Sequence, residues 1–140
     1  MTGATQGAGR GQPREGARRE LSLLMLSADA TQSILEAAMR GASMRQTLLT
    51  NNLANADTPN FEPTDVNFQS QLQSAISSGA SVDNLNFQPA ADPSAAGPGG
   101  VGVNADQQSA QLAENGLLYD ALAQILQAHN STLEYAMGTK

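Results

Sequence analysis

The chain has 140 residues, a formal charge of −6 and no cysteine; its aromatic rings are Phe61, Phe68, Phe87, Tyr119 and Tyr135, with no Trp. So few rings exclude a large globular core, and the missing thiols exclude disulfides, Cys-based metal sites and thiol catalysis. No run approaches the ~18 apolar residues of a membrane span.

The charge is uneven. Residues 1–20 hold Arg10, Arg14, Arg18 and Arg19 against Glu15 and Glu20, whereas residues 21–140 hold only Arg40, Arg45 and Lys140 against eleven Asp and Glu. An acidic body disfavours binding to nucleic-acid phosphates. Residues 1–20 are Gly-, Gln- and Arg-rich with almost no apolar side chains, so residues 1–28 are expected to form a disordered N-terminal tail. Leu21-Ser22-Leu23-Leu24-Met25-Leu26-Ser27 is too short for a usual signal-peptide core and reads as a helix start or loop. Met25 is an alternative start, which would leave residues 1–24 outside the native protein. The remainder, 29–140, reads as a single helical domain.

Residues 29–56 are expected to form the first helix, with Asp29 or Thr31 as cap. Leu35, Ala42, Leu49 and Ala56 recur every seven residues, with Ala38, Arg45 and Asn52 at the companion seam position. An isolated coiled coil would not place Arg45 there, so Arg45 is expected to find a carboxylate or to reach outward. Small residues at Gly41, Ala42 and Ser43 permit close approach by a neighbouring helix. The helix closes on Asn51-Asn52-Leu53-Ala54-Asn55-Ala56-Asp57-Thr58-Pro59-Asn60-Phe61. Pro59 pushes Thr58 out of the α region, and Asn55, Asp57 and Thr58 compete with helical pairing through their own hydrogen bonds. This stretch resembles the N-terminal signature of the bacterial flagellar axial proteins, roughly S/N-N-I/L-A-N-x-D/N-T-x-G-Y/F. Asn60 stands where glycine is common, and Asn is the next-best residue for a left-handed backbone.

Residues 57–103 are expected to hold a turn, a short helix and a flexible Pro/Gly-rich loop. Phe68, Leu72, Ala75 and Ile76 share one face of a helix over Gln69–Ser78 that ends at Gly79. Thr64-Asp65-Val66-Asn67-Phe68 is similar to the R-D-I/V-D-F of proximal-rod members of that family. Thr64 and Asn67 depart from it, which removes any charge pair those two positions would make. Asn84–Pro89 has the makings of a brief strand, and Ala90–Gly102 reads as a mobile loop.

Residues 104–137 form the second long helix, capped by Asn104 or Asp106. Ala105, Leu112, Tyr119, Leu126 and Leu133 recur at heptad spacing; Gln108, Asn115, Leu122, His129 and Ala136 occupy the companion position. Leu118, Ile125, Ala123 and Met137 widen the stripe. Val103-Asn104-Ala105-Asp106 and Ala113-Glu114-Asn115, followed by Leu118-Tyr119, resemble the C-terminal region of flagellar proximal-rod proteins of the FlgB type. The FlgC branch usually carries a longer Gly-Pro-rich insertion after its N-terminal motif, which is absent here.

The expected fold is therefore mainly α, with two long terminal amphipathic helices forming a hairpin or coiled-coil-like core. The stripe of Leu35, Leu49, Leu112, Tyr119, Leu122, Leu126 and Leu133 exceeds what two unequal helices can bury on each other. No catalytic, cofactor or metal constellation is expected: His129 is a lone histidine at a seam position, and Asp57, Glu62 and Asp65 lack the spacing of a calcium loop. The candidate residues are interaction residues, namely Asn51, Asn52, Leu53, Asn55, Asp57, Thr58, Pro59 and Phe61. The resemblance implies a non-enzymatic subunit of the flagellar basal-body rod, partnered by copies of itself, other rod proteins, the ring or adaptor at the rod base and the type III export apparatus. It also implies a weakly helical monomer whose terminal helices order on assembly. The rival reading is a helical-hairpin adaptor or export chaperone with one partner.

Overall fold

The computed structural model describes residues 13–100 and 102–138. In chain order it contains α1 (Pro13–Ala54), β1 (Thr64–Asp65), α2 (Phe68–Ser77), β2 (Ala90–Ala91) and α3 (Ala105–Ala136), with short 3-10 turns at Pro93–Ala95 and Pro98–Gly100. The chain divides into two units, Met1–Thr31 and Gln32–Lys140.

In the first unit the helix begins at Pro13, well before the expected cap at Asp29 or Thr31. Disorder over 13–28 is thus corrected to helix, while residues 1–12 lie outside the described residues. The reason is local. Proline suits the first helical position, Glu15 complements the positive helix start, and Ala, Leu, Arg and Glu are strong helix formers. Ser27 and Thr31 return their hydroxyls to the carbonyls of Leu24 and Ser27 at 2.8 and 2.9 Å. Leu21, Leu23, Leu24, Met25 and Leu26 are exposed.

In the second unit the later part of α1 packs beside α3 and α2. Ala37, Ala38 and Ala42 are buried with Val66, Phe68, Leu72, Ala75, Val82 and Phe87, flanked by Ile34, Met44, Leu48, Leu118 and Leu122. Gly41 is what lets α2 begin so close to α1: a Cβ there would lie 2.5 Å from the Phe68 ring. The small residues expected to admit a helix thus admit a phenyl ring. Phe68 meets Phe87 edge-on, with centroids 6.1 Å apart and planes at 80°, the arrangement that ring quadrupoles favour.

Two caps set the ends of α2. The Asn67 side chain accepts from the Ser70 N–H. At the other end Gly79 takes φ 71° while the Ala80 N–H reaches the Ala75 carbonyl at 3.0 Å, a glycine-terminated Schellman closure. Asn60 is the one positive-φ residue other than glycine among the described residues, at 60°, consistent with the tolerance expected of it.

The 79–102 segment, whose Ala90–Gly102 part is expected to be a mobile loop, is held at several points. Val82, Phe87 and Ala95 are buried, and the Arg40 guanidinium donates to the carbonyls of Val82 and Asp83 at 2.8 and 2.9 Å. The Gln71 amide pairs reciprocally with the Gln88 backbone. Extended pairing falls not at Asn84–Pro89 but at Ala90–Ala91, antiparallel to Thr64–Asp65. A loop rich in Ala, Pro and Gly is held because some of its apolar side chains are buried and several of its backbone groups find partners, which composition does not reveal.

Candidate assembly site

The exit of α1 and the entry of α3 meet around Asn52. Its carboxamide is fully buried: Nδ2 donates to the Thr64 carbonyl and to Gln108 Oε1, both at 2.8 Å, and Oδ1 accepts from the Thr64 N–H at 3.0 Å. One side chain thus substitutes for a strand neighbour of β1 and also joins α1 to α3. Gln108, equally buried, passes its own Nε2 to Gln111 Oε1 at 2.8 Å.

Two turns further along α3, Asn115 makes the second junction. Its Nδ2 donates to the Ala42 carbonyl at 2.9 Å and to Gln46 Oε1 at 2.8 Å, while its Oδ1, buried, accepts no hydrogen bond from the described residues. Gln108 and Asn115 occupy successive companion positions of the α3 heptad. The seam facing α1 therefore begins polar and becomes apolar at half-buried Leu122.

Arg45 finds its carboxylate. Its Nε lies 3.0 and 3.1 Å from the two Asp65 oxygens and its Nη2 2.9 Å from Oδ2, with both side chains largely buried. The hydrogen bond to Asp65 raises the Arg45 pKa above its ordinary value, against the opposing pull of desolvation and with the aid of the Asp65 charge. The pair ties the middle of α1 to β1 through a residue other than the two family positions that are altered here.

The remaining motif residues are arranged around this frame. Asn55 Nδ2 donates to Asn51 O and Oδ1, and Thr58 Oγ1 donates to Asn55 Oδ1. Asn51, Asp57, Thr58 and Pro59 are exposed; Leu53, Asn55 and Phe61 are half-buried. The Ala56 carbonyl accepts from the Val103 N–H at 3.3 Å, and Gly102, at φ 67°, packs against that carbonyl where a Cβ would lie 2.8 Å away. Asn104 caps α3 by accepting from the Gln107 N–H.

Along the expected stripe, Leu49 is buried, Leu35, Leu112, Leu122, Leu126 and Leu133 are half-buried, and Tyr119 is 39% exposed. A second stripe, not separated out by heptad reading, lies on the outer side of α3. Leu117, Ala121, Ile125, Ala128 and Tyr135 lie four, four, three and seven residues apart with all side chains exposed, Leu117 at 72% and Tyr135 at 89%. Gln108 and Asn115 were also missed as junction residues. The signal available for them was two amides at one heptad position opposite Asn52.

Among the described residues, no group of three His, Asp or Glu could hold a metal ion, and no helix is long and apolar enough to cross a membrane.

No protein-family model matches the chain. Curated relatives do. The chain is 30% identical over 113 residues to the flagellar basal body rod protein FlgB of Bacillus subtilis, a match covering 71% of this chain and 87% of that protein. It is 39% and 37% identical over 51 residues to the FlgB proteins of Yersinia ruckeri and Yersinia enterocolitica, covering 36% of this chain and 37% of each relative. On the breadth of the first of these matches, the chain belongs to the FlgB family of flagellar basal body rod proteins.

Proposed function

We propose that this chain is a non-enzymatic structural subunit of the proximal rod of the bacterial flagellar basal body, self-assembling through its long helices to carry torque from motor to hook and filament. Its neighbours in this reading are copies of itself and other rod proteins, with the basal ring or adaptor at the rod base. The type III export apparatus delivers it.

The observation that carries the reading is the outer stripe of α3. Leu117, Ile125 and Tyr135 sit on a face that nothing among the described residues covers, although the same helix already packs its inner face on α1. A helix with apolar side chains on two faces is built for two neighbours. A contact of that kind between unlike surfaces does not close on itself and propagates as a filament. Asn52, Gln108 and Asn115 join the two helices within one subunit, so that the outer face is presented in one geometry.

The test is the double substitution Leu117→Glu and Ile125→Glu in the full chain. Both positions are exposed, so the urea midpoint of the isolated protein should stay within about 0.5 kcal/mol of wild type. The wild-type chain should fractionate with basal bodies, whereas the variant should remain in the soluble fraction. Wild-type protein found only in a one-to-one complex with a single soluble partner would instead establish the adaptor.

A further inference from the structure

The amide junction leaves one group without a partner, and that group borders a groove. Asn115 Oδ1 is buried with no donor among the described residues. A buried carbonyl left unsatisfied costs about 1–3 kcal/mol. Asn115 also lines a groove of about 330 Å³ between α1 and α3, together with Ser43, Gln46, Thr47, Tyr119 and Asp120. Acceptor-bearing side chains line the groove: the Asn115 carboxamide, the Asp120 carboxylate and the Ser43 hydroxyl. The Tyr119 ring, partly exposed, forms part of its wall. This is the set of groups that a guanidinium satisfies, with five donors in a plane that also stacks on an aromatic ring.

The chain itself supplies candidates. Of the arginines whose side chains are described, Arg40 is committed to the Val82 and Asp83 carbonyls and Arg45 to Asp65. Arg18 and Arg19 are exposed and make no hydrogen bond or ion pair among the described residues. After Glu20 comes the exposed collar Leu21, Leu23, Leu24, Met25 and Leu26. Four consecutive apolar residues, 23–26, point to all sides of a helix at 3.6 residues per turn, and such a segment requires enclosure. The second unit is strongly acidic, so charge favours bringing these arginines to it.

We propose that the Arg18–Arg19 pair of a second copy of this chain docks in the groove beside Asn115 and Asp120, completing the hydrogen bonding of the Asn115 carboxamide and beginning to cover the collar. This rests on the rod reading and names the residues of one subunit contact within it. Because the two surfaces are unlike, the contact is head-to-tail and extends with each added subunit.

The experiment uses the thiol-free full chain in cells whose own copy has been removed. One tagged version carries Ala17→Cys and a differently tagged version carries Ser43→Cys; both positions are exposed. Gentle oxidation should give a disulfide-linked dimer carrying both tags in the basal-body fraction. Adding Asp120→Arg to the second version should lower its yield about tenfold, corresponding to ~1.4 kcal/mol of lost contact. Adding Arg18→Asp and Arg19→Asp to the first version should restore it. If both versions reach the basal-body fraction but no mixed dimer forms, or if its yield ignores the charge exchange, the docking proposal is overturned while the rod reading stands. If neither version leaves the soluble fraction, both fall.

Discussion

At the scale of single residues, two contacts hold the second unit together in ways that can be separated by substitution. Gly41 is in place because Phe68 occupies the space of its missing Cβ, with ring and Cβ atoms of Phe68 2.5–2.6 Å from where that carbon would be. Alanine is worth about 1 kcal/mol more than glycine inside a helix. Here that gain should be outweighed by overpacking, for a net loss of about 1–2 kcal/mol on Gly41→Ala. Urea unfolding checks the sign, and Phe68→Leu in the same chain should recover part of the loss. The second contact is the bidentate pair between Arg45 and Asp65. Asp65→Ala strands a largely buried guanidinium and should cost about 2 kcal/mol, more than an exposed ion pair contributes. Because Asp65 holds the Arg45 pKa above its ordinary value, the stabilisation from Arg45 titration is complete at every pH below the arginine range. It fades only as the pH rises through that range. The wild-type unfolding midpoint should therefore show no Arg45 transition between about pH 5 and 9, a flatness that a pH series of unfolding curves checks.

At the scale of elements, the amides decide register. Asn52 alone satisfies both backbone groups of Thr64 and links α1 to Gln108 of α3. Asn52→Ala leaves three polar groups without this partner and should cost about 3 kcal/mol or more. Gln108→Ala leaves the Thr64 pairing intact and should cost about 1–2 kcal/mol. Equal costs would mean that β1 does not depend on the side chain of Asn52. The N-terminal part of α1 contrasts with this. Its collar is exposed, and isolated helices gain most of their stability from packing an apolar face. Amide hydrogens of residues 15–27 should therefore exchange orders of magnitude faster than those of residues 37–49 in the monomer. They should become protected in the assembled state. Equal protection of the two stretches in the monomer would show that the collar is already covered.

At the scale of the whole molecule, the sequence displays its helices through periodicity, its α1 exit through the Asn-Asp-Thr-Pro run and two helix ends through Gly79 and Asn104. Those are local effects, read within one or two turns of chain. The asparagine motif was legible as a cluster, but its members divide: Asn52 enters the core while Asn51, Asp57, Thr58 and Pro59 stay outside. A heptad count could not separate them, because burial depends on what arrives from β1 and α3. The same holds for Arg45, whose partner lies twenty residues away, and for the Ala90–Gly102 loop, whose composition reads as mobile although Ala95 within it is buried. The early start of α1 was missed for the opposite reason. Composition weighs what a segment can bury, whereas helix propensity and a proline at the first turn act without any burial.

By itself, the sequence determined the helical class, the long terminal helices, the turn between them and the family to which the chain belongs, since all of these are encoded in short-range spacing and motif. Only the tertiary structure decided which amides are buried, which glycine admits a ring and which face of α3 is left outward. Those outcomes depend on distant segments competing for the same volume and the same hydrogen-bonding groups, and no local pattern records who wins that competition.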